Sequence, residues 1–594
     1  MLDWRRSYAS TWRVYAVNPA TWADADPISG VSSVSVTRDA SGAAPLIDSG
    51  SISVTNAPEL PRGYYRIVMY ATQDGTTDRV DVATLEFVRM QGSVNYGVPT
   101  DSITGYSVLY PASTLDLDPG QYAPAGANGA EYAASLLRLN CIAPVIVDGP
   151  GFALATNVVP SGDVTALQLA WEVLAAGGYT MQVHGDGEIH ILPRPTADGS
   201  EYYLNHPDML RSINQPYPFD KAMPGLTPCD LDGDGVIRNM LVKTPFGCWK
   251  KDPDDPRLII KRKADDNIGD FYNVYSEGMI NDFDGVHIQS APAKYGLDLN
   301  RNFPSDWAPE YKQPGGGFYP GQVAESRNLM EWIKQRRNLV HTITFHTFGG
   351  MYLYPPAGFP AAQADQQDQK MFRAFMEIAK EETGYHQLII KDDFLGMDAK
   401  APAFGSLDDY LYFANGVSCN SVETWDLSAQ CGMKPEYPKP QKLTEADKIE
   451  NERKFLKWID EKDLGAYYMD WTPFEHPQLG TVEIGGPDKK YLLQNPPVQF
   501  LPQEVEKHTR FILRHVKAFP HLAIRDVKAT SLADGLYKVE AVIGNTGFMP
   551  TYATNEFRKL KLAQDIEITL TGAEIADGKD TCKIAPLDGY EPPM

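Results

Sequence analysis

Thr342-Ile343-Thr344-Phe345-His346 reads as a short buried strand, and the segments on either side of it decide the fold of the second part of the chain. Before it, Gln322–Arg337 has helical spacing, with Val323, Met330 and Ile333 on one face. After it, Gln367–Thr383 places Met371, Phe372, Phe375 and Ala379 at helical spacing, and Gly384 supplies the stop. Helix, strand and helix in succession are α/β grammar. Further on, Thr444 with Asp447 forms a capping signal for a helix through Ile449, Leu456 and Ile459. Gln503–Lys517 repeats the helical pattern with Val505, Ile512 and Val516. Leu536–Ile543 alternates Tyr537, Val539, Ala541 and Ile543 against Lys538 and Glu540, which predicts a small β-sandwich from about 522 onward.

Toward the N-terminus the pattern changes. Thr11–Val17, Ser33–Val36 and Tyr64–Tyr70 read as strands separated by Gly, Asp and Pro clusters, which predicts an antiparallel sheet or barrel. Helical patterns follow at Ala130–Leu139 and Val164–Ala176. Tyr179–His184 and Glu188–Leu192 flank Gly185-Asp186-Gly187, and Asp-Gly between alternating runs signals a hairpin. Residues 1–220 contain no lysine, whereas residues 221–594 contain 30; the earlier basic residues are arginines such as Arg38, Arg89 and Arg138. So sharp a split places a boundary near 205–225, in a stretch punctuated by Asn and Pro.

The 594 residues suffice for several domains and more than one core. A formal net charge of -23 and no Lys/Arg block argue against a nucleic-acid partner, because phosphate binding needs a basic face. No apolar run is long enough to span a membrane, and the opening Met1–Tyr8 lacks the apolar core of a secretory signal, so localisation stays unknown. Six scattered cysteines, with no Cys-x-x-Cys pair, read as buried or free thiols.

Three segments carry chemistry. They are Gly296-Leu297-Asp298-Leu299-Asn300-Arg301-Asn302-Phe303, Phe345-His346-Thr347-Phe348-Gly349-Gly350, and Gly405-Ser406-Leu407-Asp408 with Ser421-Val422-Glu423-Thr424-Trp425-Asp426. In this order they resemble the zinc carboxypeptidases of the carboxypeptidase A type. Asp230–Gly235, Asp255–Leu258, Tyr275–Gly278 and His476–Gly486 extend the resemblance to large bacterial members with a C-terminal β-domain, over roughly 209–590. The implied architecture is multidomain: a β-rich region over 1–208, an incomplete α/β carboxypeptidase-like mixed sheet with flanking helices over 209–520, and a C-terminal β-sandwich over 521–594.

The resemblance implies zinc-dependent removal of C-terminal residues from peptides or proteins. His346 matches a zinc ligand, and Glu423 matches the general base that deprotonates the metal-activated water. Asn300 and Arg301 match the pair that grips the terminal carboxylate, for which a planar guanidinium fork is suited. Asp298 matches the carboxylate that orients a ligating histidine. Arg262, or else Arg257, falls where the family places an oxyanion-stabilising arginine, and Leu407 matches the pocket for the last side chain. The family's capping tyrosine has no counterpart; the matching place falls near Lys400.

The family's His-x-x-Glu motif, which supplies two of three zinc ligands, is absent ahead of Asp230. Residues 1–208 resemble instead the minor tail proteins of tailed bacteriophages, on Trp12–Tyr15, Ala44–Gly50 and the Val183–Glu188 turn, which would imply virion partners. Asp230-x-Asp232-x-Asp234-Gly235 begins like a calcium loop, but its twelfth position is Leu241. Three readings stay open: a zinc carboxypeptidase, a virion structural protein carrying an inert peptidase remnant, and a binder of peptide C-termini that does not cleave them.

Overall fold

The structure is a computed structural model that describes residues 8–37, 49–55, 62–73, 75–95, 98–114, 116–117, 120–149, 151–160, 164–194, 196–395, 403–435, 443–576 and 579–590. Arg38, Ala44–Asp48 and Lys400 lie outside the described residues. The chain divides into two compact units, residues 1–198 with 323–336, and residues 199–322 with 337–594.

In the first unit, seven strands between Ala9 and Ser107 form one antiparallel sheet, whose spatial order by sequence rank is 2-1-5-6-7-4-3. Val14, Ile52, Val54, Ile67, Leu85 and Ile103 fill its buried face. Helices Gly129–Asn140 and Ala166–Ala176 start where the sequence supplies caps. The Asn128 side chain accepts from Glu131 N–H, and Thr165 forms a capping box with Gln168. Their apolar stripes bury Leu137, Leu169 and Val173 against Ile189 and Ile191. The expected hairpin pairs Tyr179–Val183 with Ile189–Pro193, and Gly187 sits in the turn at φ 83°. Helix Ala324–Gln335, adjacent in sequence to the His346 strand, groups with this unit; Arg336 Nη2 lies 3.0 Å from Asp148 Oδ1.

The second unit carries the α/β elements. Strand β1 is His341–Thr347, β2 Met351–Tyr354, β3 His386–Ile389 and β4 Ser418–Thr424; helix α1 is Gln366–Thr383, α2 Glu445–Glu461 and α3 Leu501–His515. The sheet order is β1-β4-β2-β3, with β1 parallel to β4, β2 antiparallel to β4 and β2 parallel to β3. Asp365 caps α1, Gly384 closes it at φ 75°, and Thr444 with Asp447 completes the capping box of α2. A separate six-stranded antiparallel sheet joins strands between Asn239 and Ser276 to Tyr468–His476 and Gly480–Pro487.

Three expectations need correction. Strand β1 is an edge strand: only β4 pairs with it among the described strands, and Phe345 is 51% exposed. Helix α3 turns its other face inward. Glu504, His508, Phe511 and His515 are buried while Val505 is exposed, because Tyr385 and Tyr352 offer hydroxyl partners to the polar side chains. Beyond residue 521, in place of a sandwich, the described strands form two separate two-stranded ladders, and Leu536–Val542 is exposed on both faces.

Candidate functional site

Strand pairing creates the first part of the site. In the parallel ladder between β1 and β4, His346 is the register partner of Glu423 and Thr344 that of Ser421. Partners on neighbouring strands present side chains to the same face. Thr344 Oγ1 and Ser421 Oγ are 2.7 Å apart, and Ser421 Oγ lies 2.8 and 2.9 Å from the two oxygens of buried Asp408. That row supports the floor beneath His346 and Glu423.

The second part comes from the 296–303 segment. Asp298 N–H donates to Gly315 O, and the Asp298 side chain accepts from Asn300 N–H at 3.0 Å, which closes a single helical turn at Leu299–Arg301. Asn300 Oδ1 accepts from Leu407 N–H at 2.8 Å and so ties this segment to the loop that opens on Gly405. The two backbones lie so close that a Cβ on Gly405, which sits at φ 70°, would fall 2.3 Å from Arg301 O. Arg301 Nη1 donates to Asn300 O at 2.6 Å, and Arg301 Nε lies 3.9 Å from Asp298 Oδ2.

The electrostatics bind these parts into one cluster. Burial lowers the His346 pKa, which keeps the imidazole neutral near pH 7, while Asp298, Arg211 and Arg301 all act on it. Burial pushes the Glu423 carboxyl up to about 7 against the opposing pull of Arg211 and Arg301. Glu423 Oε2 is buried without a hydrogen-bond partner. Burial would raise Asp298, but Arg301 and Arg211 outweigh it and hold the carboxylate ionised.

Arg211 was not legible in the sequence, where it follows Leu210 with no motif around it. Its Nε and Nη2 donate to Asp298 Oδ2 at 3.0 and 2.7 Å. His346, Glu423, Asp298, Asn300, Arg301 and Leu407 therefore come together, each linked to another of the group by a hydrogen bond, an ion pair, strand register or a direct electrostatic interaction. Arg262 shows no such link to them. Its guanidinium donates to Asp266 O and Pro245 O and stacks on Phe271, 3.6 Å from the ring centre. Arg257 pairs with Asp255 and Asp460.

The donor set does not fit a resident zinc. Zinc needs three protein ligands in fixed geometry, and His346 is part of no group of three His, Cys, Asp or Glu side chains placed to share one ion among the described residues. The one such group is Asp230, Asp232 and Glu277, whose oxygens lie within 4.8 Å of one another. Both Glu277 oxygens there accept backbone N–H groups, from Leu231 and Arg238.

Residues 248–448 match the zinc carboxypeptidase family. Residues 521–592 match a domain of unknown function (DUF8731). No curated protein matches the chain. Among solved structures, the chain is similar to a tail protein from Neisseria meningitidis MC58 at 11% identity and a TM-score of 0.23, covering 43% of this chain and 68% of that one. It is also similar to the 43 kDa tail protein of prophage MuSo2 from Shewanella oneidensis, at 11% identity and a TM-score of 0.22, covering 32% of this chain and 56% of that one. Thrombin activatable fibrinolysis inhibitor is similar at 19% identity and a TM-score of 0.20, covering 30% of this chain and 45% of that one. The chain thus spans about half the length of the last two. No described helix is long and apolar enough to cross a membrane.

Proposed function

We propose that the second unit is a metallocarboxypeptidase-like region whose cleft takes up the C-terminal end of a peptide, and that the chain as it stands binds that end with little or no hydrolysis. The observation that carries this reading is the convergence of Arg301 with His346 and Glu423 around one buried carboxylate, Asp298. Arg301 would grip the terminal carboxylate, and Asn300 would hold the Arg301 segment against Leu407, which would border the last side chain. Hydrolysis of the family's kind would use Glu423 as base; among the described residues a single imidazole stands where three metal ligands are needed. The first unit, residues 1–198 with 323–336, would serve a separate structural role, with virion components as the partners that the resemblance of 1–208 suggests.

Two measurements test the reading. A labelled peptide with a free C-terminal carboxylate should bind, its amidated twin should bind at least about tenfold more weakly, and Arg301→Gln should narrow the difference. Metal content and hydrolysis of a blocked dipeptide should both be low in the purified chain. Stoichiometric zinc with rapid hydrolysis would replace this reading with an active enzyme.

A further inference from the structure

We propose that Arg211 is a second carboxylate-binding cation of this cleft, so that peptide C-termini are recognised by a pair of guanidinium groups and without metal. The inference rests on the peptide-end reading above. Asp298, only 7% exposed, is an anion with no ligating histidine to orient. Arg211 fills that role with two hydrogen bonds to one oxygen, Oδ2, while Arg301 approaches the same oxygen at 3.9 Å. A buried carboxylate left unpaired would be costly, and this pairing removes the cost.

The pairing also leaves donors over. Two guanidinium groups face a single carboxylate oxygen, Asp298 Oδ2, and that oxygen uses up neither of them. The Arg211 side chain is 60% exposed, and its Nη1 makes no hydrogen bond among the described residues, so donors remain for an incoming oxygen. Arg301, 19% exposed, uses Nη1 internally and leaves Nη2. An amide or ester end offers these donors no anionic oxygen. Class selection for free acids follows from the two arginines.

The test uses the full chain, excess EDTA, and a fluorescent tripeptide as free acid and as amide. The wild type should bind the acid equally well with EDTA and with added zinc. Arg211→Met should weaken acid binding about tenfold, a loss expected for one charge-assisted contact. Because that variant strands Asp298, the pair Arg211→Met/Asp298→Asn keeps the charge of the cleft and should show the same loss with wild-type thermal stability. Arg211→Lys should restore part of the affinity. Unchanged affinity in the double variant overturns the role of Arg211 and leaves the peptide-end reading standing. Loss of wild-type binding in EDTA overturns metal independence. Equal binding of acid and amide by the wild type overturns the peptide-end reading itself.

Discussion

Glu423 lies beside His346 across a parallel strand ladder, yet one of its carboxylate oxygens has no hydrogen-bond partner. A carboxyl group in that setting is easier to protonate than one in water, and its pKa rises from the usual range to about 7. The sign of the stability effect follows. The folded state binds this proton more tightly than the unfolded state, so the contribution of Glu423 is most favourable below about 4.5 and is lost as pH rises to about 7. Glu423→Gln should raise the melting temperature at pH 8 and change it little at pH 5. The gain should be on the order of 1 kcal/mol once partial solvent access is allowed for. Thermal scans at the two pH values check it.

The same proton should control the ligand. An ionised Glu423 adds a negative charge near Arg211 and Arg301, so affinity for a free-acid peptide should fall between pH 6 and pH 8; buried Asp408, whose carboxyl is pushed up to about 6, adds to the fall at its lower end. In Glu423→Gln that fall should shrink, and what remains should lie near pH 6. Titration calorimetry across the range reads both.

Gly405 should resist substitution. Its φ of 70° disfavours a side chain, and a Cβ would press on Arg301 O at 2.3 Å. Gly405→Ala should cost at least about 1 kcal/mol and weaken peptide binding beyond its effect on stability, because the backbone that moves carries Arg301. Urea unfolding and peptide titration separate the two effects.

Helix α3 should make the second unit acid-labile. Burial lowers the pKa of His508 and His341 to about 4 and that of His515 to about 2. The stability these neutral rings allow is present above the unfolded value of about 6.5 and is lost as pH falls toward about 4. His515 is packed against Phe375 and Phe511 with a partnerless Nε2, so His515→Phe should remove part of that sensitivity. The midpoint of acid unfolding, followed by tryptophan fluorescence, should move downward.

Tyr385 holds the backbone next to the site. Its hydroxyl donates to Glu504 at 2.6 Å and accepts from Trp425 N–H at 2.7 Å. Tyr385→Phe leaves a buried N–H and a buried carboxylate short of a partner, and should cost about 1–3 kcal/mol in urea unfolding.

What was legible in the sequence was local. The Thr165–Gln168 and Thr444–Asp447 boxes, the Gly384 stop and the turn around Gly187 are each written within a few residues, and each forms as read. The order of motifs singled out His346, Glu423, Asp298, Asn300 and Arg301; strand register and hydrogen bonds link these residues to one another, and their roles stay proposals. The failures concern neighbours distant in sequence. Apolar spacing puts Val505 on the helical stripe of α3 but cannot reveal that Tyr385 and Tyr352 await polar partners on the other face. Arg211 carries no spacing signal at all; only the fold sets it against Asp298, 87 residues away. Arg262 matches the family's oxyanion-stabilising arginine by its place in the motif order alone, and here its guanidinium bonds to Asp266 O and Pro245 O.

Strand β1 runs His-Thr-Ile-Thr-Phe-His-Thr, without a lysine, glutamate or proline, and among the described strands only β4 pairs with it. Charged residues on such strands ordinarily keep molecules from zipping together. Among the described residues strand β1 carries none of these, and a general guard is the repulsion between molecules of net charge -23, whose reach shrinks to about 8 Å at physiological ionic strength. Concentrated solutions of this protein should therefore stay clear at low salt and turn cloudy as salt is added, the reverse of ordinary salting-in, with the pleated ribbon at Phe345 as the place where the clouding begins.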